Sequence, residues 1–381
     1  MMLSRDKERF YGDFLDRQAG RDPADRHRAG HRIRQIGREI RVEPDAGRHH
    51  VWRKLPVSKM KKRGKRTGMF VLLCIAAFIV SALGSAIFKM TYTPKELRKY
   101  SVDWNESVGT AYTDIAYGDA ESNKFDLYVP ADNTKDSYGL IVYLHAGGFT
   151  TGDKADDAAT LEYYCSLGYV TAGINYTLRD DVHPDASVYT QSMEIKAAVP
   201  YVVEKAKELG YHIDGIAMSG GSAGGCLALI YAYRDAEEAP VPVKLVFEGV
   251  GPSSFYPEDW TNYGFDKDKD AAAGIFSVMR GETITADMFG TKEYDELMKQ
   301  ISALLNIDEN TVPTVMAYGM HDTFQPYLGS VRLDEALTKV GVDHTYIVFE
   351  HSGHGLQNDN KQSVEYAEAV LEYLAKYMPV E

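Results

Sequence analysis

From Tyr112 onward, short apolar runs alternate with amphipathic stretches, and this alternation constrains the fold more than any other feature of the chain. Strands of a parallel sheet are near-continuous apolar runs, because helices cover both faces of such a sheet. The alternation therefore predicts an α/β fold, with a mainly parallel central sheet and helices on both faces. The predicted central strands are Leu140–Leu144, Val170–Tyr176, Ile216–Ser219, Val243–Glu248, Thr314–Tyr318 and Thr345–Phe349.

Three other segments complete the predicted fold. Phe125–Val129 alternates apolar and polar residues, which is typical of a half-exposed edge strand. Ser192–Leu209 carries apolar residues at spacings of three and four, which predicts a crossover helix that Pro200 either bends or breaks in its first turn. The mixed, acidic segment from Pro252 to Thr311 is predicted to be a small helical insertion over one end of the sheet.

Net charge divides the chain into two parts. Residues 1–88 contain 20 Lys/Arg and 9 Asp/Glu, whereas residues 89–381 contain 22 and 46. Residues 1–59 are polar and Arg-rich without a sustained apolar period, so we expect them to be disordered or to be an artefact of the chosen start site. The predicted organisation is an N-terminal segment at 1–59, a basic flank at 60–68, a membrane segment at 69–88, a linker at 89–111 and a folded domain at 112–381.

Met69–Phe88 is a run of 20 residues without a charge or a proline. At about 1.5 Å per residue, a helix of that length covers roughly 30 Å, the thickness of the hydrocarbon core of a bilayer. Arg53–Arg66 contains eight Lys/Arg and residues 89–104 contain four, so the positive-inside rule predicts a cytoplasmic N-terminus and an extracytoplasmic folded domain. The run also resembles a secretory signal that starts at Met60, whose cleavage would release the domain, and a buried core helix is the third interpretation.

Composition excludes several other classes of protein. The formal net charge of −13 argues against nucleic acid as the main partner. Three cysteines in 381 residues exclude a disulfide scaffold, and Cys165 and Cys226 allow at most one bridge because Cys74 lies in the apolar run. The sequence contains no evident metal-binding cluster, and no cofactor is expected.

Gly220-Gly221-Ser222-Ala223-Gly224 stands between a predicted strand and a predicted helix at Cys226–Arg234. In this context G-x-S-x-G forms a nucleophile elbow, a sharp turn that needs residues without bulk around the serine. The serine hydroxyl then projects near a helix N-terminus, where amide N–H groups favour developing negative charge. A glycine-rich turn or a phosphate cradle is the alternative, although the lysine of a P-loop is missing.

His145-Ala146-Gly147-Gly148-Phe149 directly follows the predicted strand Leu140–Leu144. In an elbow architecture, a second donor to the reacting oxygen is expected at this place. The adjacent glycines allow the N–H groups of Gly147 and Gly148 to turn inward, and the N–H of Ala223 would complete an oxyanion hole. An ordinary turn after a strand is the alternative.

A serine hydroxyl is a poor nucleophile until a base takes its proton, and a carboxylate must orient that base. Among the histidines of the acidic part, His354 follows the last predicted strand, where such a base is expected. Glycines stand on both sides of it, which lets the loop approach the serine and favours His354 over His351.

The predicted carboxylate is Asp322, which follows the strand before the last one. The order Ser222, Asp322, His354 is the order that the elbow architecture uses. Asp334 and Asp343 are weaker candidates, since the first lies in a predicted helix and the second on a turn. A single loop aspartate is more often a cap or turn residue, so the position of Asp322 between the other two carries this prediction.

Five motifs connect the chain from about Tyr112 to Met378 to a known family. They are HAGGF at 145–149, INYTL at 174–178 with the His183-Pro184 pair, GGSAGG at 220–225, GMHD at 319–322 and HSGHG at 351–355. With them the chain resembles an α/β-hydrolase, specifically the hormone-sensitive-lipase-like esterases and the related bacterial feruloyl-esterase-like group. The resemblance implies the same roles: nucleophile Ser222, base His354, orienting Asp322, and backbone donors at Gly147, Gly148 and Ala223.

The sequence departs from the family pattern at two places. Ala146 stands where the usual HGGG run has a glycine, and Thr177 stands where an arginine usually follows the Asn-Tyr pair. The first change leaves the two glycines free to donate, and no role is carried over to Thr177 or to the neighbouring Arg179.

The residues and the resemblance favour a serine esterase that forms an acyl-enzyme and acts on a small-molecule or carbohydrate-linked ester. Short-chain acyl esters, or acetyl and feruloyl groups on carbohydrate, are implied by the resemblance. A serine peptidase of the same fold is one alternative. It is disfavoured because such peptidases usually carry a large N-terminal gating domain, which about 112 residues including a membrane anchor cannot hold. A non-catalytic surface binding protein is another, although binding alone needs no serine, base and acid together. Aromatic residues of the insertion either line a substrate pocket or pack a cap: Tyr256, Trp260, Tyr263 and Phe265.

Overall fold

The computed structural model describes residues 94–380, together with the isolated positions Met69 and Ser81. Over that part of the chain, no helix combines the length and the apolar character needed to cross a membrane. The predicted disordered segment at 1–59, the basic flank and all but two positions of the predicted membrane segment lie outside the described residues.

The described residues form one eight-stranded sheet in the order β1-β2-β4-β3-β5-β6-β7-β8. β2 is antiparallel to both of its neighbours, and the pairs from β4 to β8 are all parallel. The predicted mainly parallel sheet is therefore confirmed. Its strands are β1 Gly109–Ala116, β2 Lys124–Pro130, β3 Tyr138–Leu144, β4 Val170–Ile174, β5 Ile213–Gly221, β6 Val243–Gly249, β7 Thr314–Gly319 and β8 His344–Phe349.

Helices cover both faces of this sheet. Successive residues of β3, Leu140 and Ile141, enter different apolar clusters on opposite faces, as the two-residue period of a strand requires. The cluster around Leu140 contains α2 and α3, and the cluster around Ile141 contains α7. The helices are α1 Ala158–Ser166, α2 Val188–Glu208, α3 Ala223–Ile230, α4 Lys269–Arg280, α5 Lys292–Met298, α6 Tyr327–Val340 and α7 Asn360–Tyr377.

The prediction that Phe125–Val129 is a half-exposed edge strand is wrong. β2 lies between β1 and β4, and every residue from Phe125 to Pro130 is buried. The misleading residue is Asp126, which is buried because its carboxylate pairs with the Lys154 ammonium at 3.2 Å. The edge strand is β1, which begins three residues before the predicted domain start and is largely exposed.

The crossover helix α2 begins earlier than predicted. The Ser187 hydroxyl accepts a hydrogen bond from the Thr190 N–H, and this cap starts the helix at Val188. The helix then runs through Pro200 to Glu208, so the proline does not end it. Between β6 and β7, α4, α5 and several 3₁₀ turns form the helical insertion that was predicted from Pro252 to Thr311.

Candidate active site

The turn between β5 and α3 has the geometry of a nucleophile elbow. Ser222 has φ 54° and ψ −120°, a conformation that side chains rarely adopt, and α3 begins at the next residue. A Cβ on Gly220 would lie 2.5 Å from the Gly224 carbonyl carbon, and a Cβ on Gly224 would lie 1.9 Å from the Leu144 oxygen. Both glycines are therefore required by close backbone contacts, which hold Ser222 at the end of the sheet.

The three predicted side chains lie within hydrogen-bonding distance of one another. His354 Nε2 is 2.8 Å from Ser222 Oγ, and His354 Nδ1 is 2.7 Å from Asp322 Oδ2. Asp322 follows β7 and His354 follows β8, so neighbouring parallel strands deliver them to the same edge of the sheet. With Nδ1–H donating to the carboxylate, Nε2 is the acceptor for the serine proton.

Contacts from the insertion hold the loop that carries Asp322. The other carboxylate oxygen, Oδ1, accepts the N–H groups of Phe324 and Gln325 at 2.8 and 2.9 Å. Tyr263 donates its hydroxyl proton to the Phe324 carbonyl at 2.8 Å. The Asn262 side-chain amide donates to the Thr323 carbonyl at 3.0 Å. These contacts join residues that stand 61 positions apart in the chain, so no local sequence pattern indicates them.

The loop after β3 lies beside the elbow, because Leu144 pairs with Gly220 in the parallel register of β3 and β5. Gly147, Gly148 and Phe149 have φ values of 136°, 60° and 67°, so the chain turns sharply there. In the part of the chain that the structure describes, the N–H groups of Gly147, Gly148 and Ala223 form no hydrogen bond. The three predicted oxyanion donors are thus unpaired at neighbouring strand ends.

His145, the first residue of this loop, is held by contacts with Tyr176. Its buried ring stacks on Tyr176 with the ring centroids 4.3 Å apart, and the Tyr176 hydroxyl donates to the His145 carbonyl at 2.9 Å. Burial lowers the pKa of His145, so the ring is held neutral. The histidine of HAGGF therefore has a packing role beneath the glycines.

The BD-FAE family matches residues 125–337, more than half of the chain. The matched range contains the elbow and the acid loop just described. The chain belongs to the BD-FAE family. Esterases of the α/β-hydrolase fold make up this family, which confirms the predicted fold class.

Individual proteins show the same likeness. The chain is 25% identical over 139 residues to kynurenine formamidase of Danio rerio, a match that covers 36% of this chain and 44% of that protein. The crystal structure of esterase B from Lactobacillus rhamnosis covers 81% of this chain and 96% of its own, with TM-score 0.54 and 19% identity. A truncated carbohydrate esterase from gut microbiota covers 70% of this chain and 98% of its own, with TM-score 0.54 and 19% identity.

The match spans less than half the length of the curated formamidases. At these identities, the likeness to the two solved structures shows the fold.

In this BD-FAE chain, the weaker candidates for base and acid are engaged elsewhere. His351 Nδ1 is 2.7 Å from Asp359 Oδ1, and 76% of the His351 side chain is exposed. Asp334 pairs with a histidine at the start of β8, and Asp343 pairs with Lys376 of α7. The structure therefore brings His354 and Asp322, and none of these alternatives, to Ser222.

Glu248 is a buried carboxyl group close to the elbow, and no sequence motif indicates it. It lies at the end of β6, and its Oε2 accepts the Gly251 N–H at 2.9 Å. A Cβ on Gly225 would lie 2.9 Å from the same oxygen, so the carboxyl group packs against the first turn of α3. Burial raises the pKa of Glu248 to about 8, so this carboxyl group is mainly protonated at neutral pH.

The aromatic residues of the insertion pack mainly on one another. Trp260 stacks on Phe265 at 6.2 Å, lies 5.5 Å from Tyr263, and donates its indole N–H to the Ser254 carbonyl at 2.9 Å. Trp260 and Phe265 are buried. These contacts favour the cap interpretation for this cluster over the pocket interpretation.

Across residues 94–380, no group of His, Cys, Asp and Glu side chains could hold a metal ion. Cys165 and Cys226 are both buried and unpaired with each other.

Proposed function

We propose that this BD-FAE chain is a serine esterase that hydrolyses carboxylic esters through an acyl-enzyme. Ser222 is the nucleophile, His354 the general base and Asp322 the residue that orients the base. One observation carries the proposal: two hydrogen bonds of 2.7 and 2.8 Å connect the carboxylate, the imidazole and the hydroxyl at a nucleophile elbow. The family adds support, because its members are esterases.

The reaction follows from these positions. Ser222 Oγ attacks the ester carbonyl carbon as His354 Nε2 takes its proton, and Asp322 stabilises the imidazolium that forms. The N–H groups of Gly147, Gly148 and Ala223 donate to the oxyanion of the tetrahedral intermediate. The intermediate collapses when His354 protonates the leaving alcohol, and water then releases the acid by the same steps.

A fluorophosphonate probe tests the chemistry. We expect covalent labelling of the wild-type protein and loss of labelling in Ser222→Ala, with p-nitrophenyl ester hydrolysis lost in parallel. Gly221→Ala is the matched control, since outside the adjoining residues its Cβ would approach no atom closer than 4.0 Å. A folded wild-type protein that neither reacts with the probe nor hydrolyses any ester would support the alternative of a non-catalytic binding protein.

A serine peptidase is the alternative within the same chemistry. Comparing p-nitrophenyl esters with p-nitroanilides of matched acyl groups separates the two activities. We expect kcat/KM to be far higher for the esters. Comparable or greater activity on peptide anilides would contradict the esterase proposal while leaving the roles of Ser222, His354 and Asp322 intact.

We propose a small-molecule or carbohydrate-linked ester as the substrate. The solved carbohydrate esterase from gut microbiota supports the carbohydrate class through its shared fold. The formamidase relatives suggest adding a formamide to the substrate panel. The decisive assay compares p-nitrophenyl esters of increasing chain length with acetylated and feruloylated sugars, and a preference for long-chain esters alone would contradict the carbohydrate class.

We also propose that Met69–Phe88 exports the esterase domain, either as an uncleaved anchor with a cytoplasmic N-terminus or as a cleaved signal. The support is the uncharged run of 20 residues and the preceding cluster of Lys and Arg. Membrane fractionation and protease treatment of intact cells test the location. N-terminal analysis of the mature protein separates the anchor from the cleaved form, and a protease-protected domain would contradict both.

A further inference from the structure

Gln191 joins two loops at the edge of the sheet where Ser222 lies. The residue is near the start of α2, and its side chain is fully buried. Its Nε2 amide donates to the Phe149 carbonyl at 2.9 Å and to the Thr177 carbonyl at 2.8 Å. Phe149 ends the glycine turn after β3, and Thr177 belongs to the loop after β4.

The glycine turn needs such support. Phe149 has φ 67°, which is uncommon for a bulky side chain, and it follows two glycines with positive φ. A residue in this region persists where its surroundings fix it. A buried amide that satisfies a backbone carbonyl is such a contact, because its loss leaves the oxygen short of a donor away from water.

Apart from Gln191, residues Thr177 and Phe149 have different numbers of hydrogen bonds that hold them. Glu194, one turn further along α2, accepts the Thr177 N–H at 2.6 Å and the Thr177 hydroxyl at 2.7 Å. The Phe149 carbonyl has one further donor, the Arg179 N–H at 3.0 Å. If the amide of Gln191 is removed, Thr177 keeps its hydrogen bonds to Glu194 of α2, whereas the Phe149 carbonyl loses its hydrogen bond to that helix.

We propose that Gln191 is a positioning residue for the serine chemistry, because its amide fixes the Phe149 carbonyl and thereby the direction of the Gly147 and Gly148 N–H groups. The inference rests on the proposed function, in which those groups stabilise an oxyanion. Gln191 does not touch the reacting atoms and acts through the turn. Such donors act on the charge that develops in the transition state, so the effect falls on kcat and spares substrate binding.

Gln191→Met tests the inference, since methionine keeps the length of the side chain and cannot donate. We expect kcat for p-nitrophenyl acetate to fall by about 10–100-fold, with KM unchanged within about twofold. The inhibition constant of a trifluoromethyl ketone, which forms a tetrahedral adduct with a reactive serine, should rise by the same factor. Ile195→Val is the matched control: it removes one buried methyl group from α2 and none of the hydrogen bonds of the turn, and both constants should stay within about twofold.

Gln191→Glu supplies a second readout that a purely structural role would not move. A protonated carboxyl group can donate one hydrogen bond, whereas a carboxylate cannot donate. The kcat of this variant relative to wild type should therefore rise as the pH is lowered, and the relative kcat of Gln191→Met should not. Arg179 and Glu194, the charged residues that share these hydrogen-bond partners, are present in both variants.

The outcomes are distinguishable. If Gln191→Met melts cooperatively and its kcat matches that of Ile195→Val, the inference is overturned. It is also overturned if the kcat of Gln191→Glu relative to wild type does not change with pH. If Gln191→Met does not fold, the pH dependence of Gln191→Glu decides. A wild-type protein that neither hydrolyses p-nitrophenyl acetate nor reacts with a fluorophosphonate overturns the proposed function itself.

Discussion

Gly224→Ala is expected to inactivate the enzyme by moving the elbow against the oxyanion loop. The new Cβ would lie 1.9 Å from the Leu144 oxygen, 2.5 Å from its carbonyl carbon and 2.8 Å from the His145 oxygen. All three atoms are backbone, so no side-chain rotation can relieve the contact. Either α3 or the end of β3 has to move, and both carry parts of the site.

The required displacement sets the size of the effect. Restoring ordinary van der Waals contact from 1.9 Å needs a shift of about 1.5 Å between the new Cβ and the Leu144 oxygen, a displacement comparable to the roughly 1 Å misplacement that costs about 100-fold in rate. We therefore expect kcat/KM to fall at least about 100-fold. Overpacking at such a contact typically costs about 1–3 kcal/mol of stability, so the variant should still fold in a protein of ordinary stability.

The assay is p-nitrophenyl ester hydrolysis, normalised to the concentration of folded protein measured by circular dichroism. Gly221→Ala is the matched control in the same turn, because its Cβ would have its nearest neighbour outside the adjoining residues at 4.0 Å and its φ is not in the left-handed region. We expect that control to keep kcat/KM within about threefold of wild type. Equal losses in the two variants, or full activity in a folded Gly224→Ala, would refute the argument from close backbone contact.

Three further predictions follow from single side chains. Asp322→Asn should lower kcat by about 10⁴-fold through the wrong imidazole tautomer of His354, with little change in thermal unfolding; a loss below tenfold contradicts the assigned role. Burial raises the pKa of Glu248 from its ordinary value of 4.5 to about 8. Between these two pH values the folded state keeps a proton on Glu248 that the unfolded state has released. The free energy of unfolding of the wild type, relative to that of Glu248→Gln, should therefore be lower at pH 8 than at pH 5. Urea unfolding at the two pH values measures it, and a difference that does not change with pH would contradict the raised pKa. The hydrogen bond to Asp359 raises the pKa of His351 above its ordinary value of 6.5. The pair therefore stabilises the folded state fully below pH 6.5, and this stabilisation is lost as the pH rises through the raised pKa. His351→Ala should therefore lower the unfolding temperature more at pH 5.5 than at pH 9, and the reverse order would contradict the pairing.

The central strands could be predicted well because their burial on both faces leaves a direct compositional signal. Leu140–Leu144 and Thr314–Tyr318 agree with β3 and β7 to within two residues at either end. β1 escaped prediction because an exposed edge strand such as GTAYTDIA has little apolar content. The buried carboxylate of Asp126 imitated an edge pattern in β2, since its partner Lys154 stands 28 positions away in the chain.

The candidate site divides in the same way. Ser222, Asp322 and His354 could be proposed because each follows a predicted strand in a recognisable order. Gln191 and Glu248 could not, because their importance comes from which backbone groups they reach after folding. A glutamine inside an amphipathic helix and a glutamate at a strand end carry no sequence signal that separates them from solvated residues.

Different parts of the fold hold the nucleophile and the loop that carries the acid. Ser222 is fixed by the sheet itself, through close contacts among Gly220, Gly224 and β3. The loop of Asp322 is fixed by Asn262 and Tyr263, which belong to the insertion between β6 and β7. Changes in the insertion therefore act first on the orientation of the acid and the base, whereas changes in the sheet act on the nucleophile. Tyr263→Phe should therefore lower kcat by loosening the Asp322 loop. The loss should be larger for alkyl esters than for p-nitrophenyl esters, because p-nitrophenolate leaves without a proton from the His354 imidazolium, and equal losses on both would contradict this role of Tyr263.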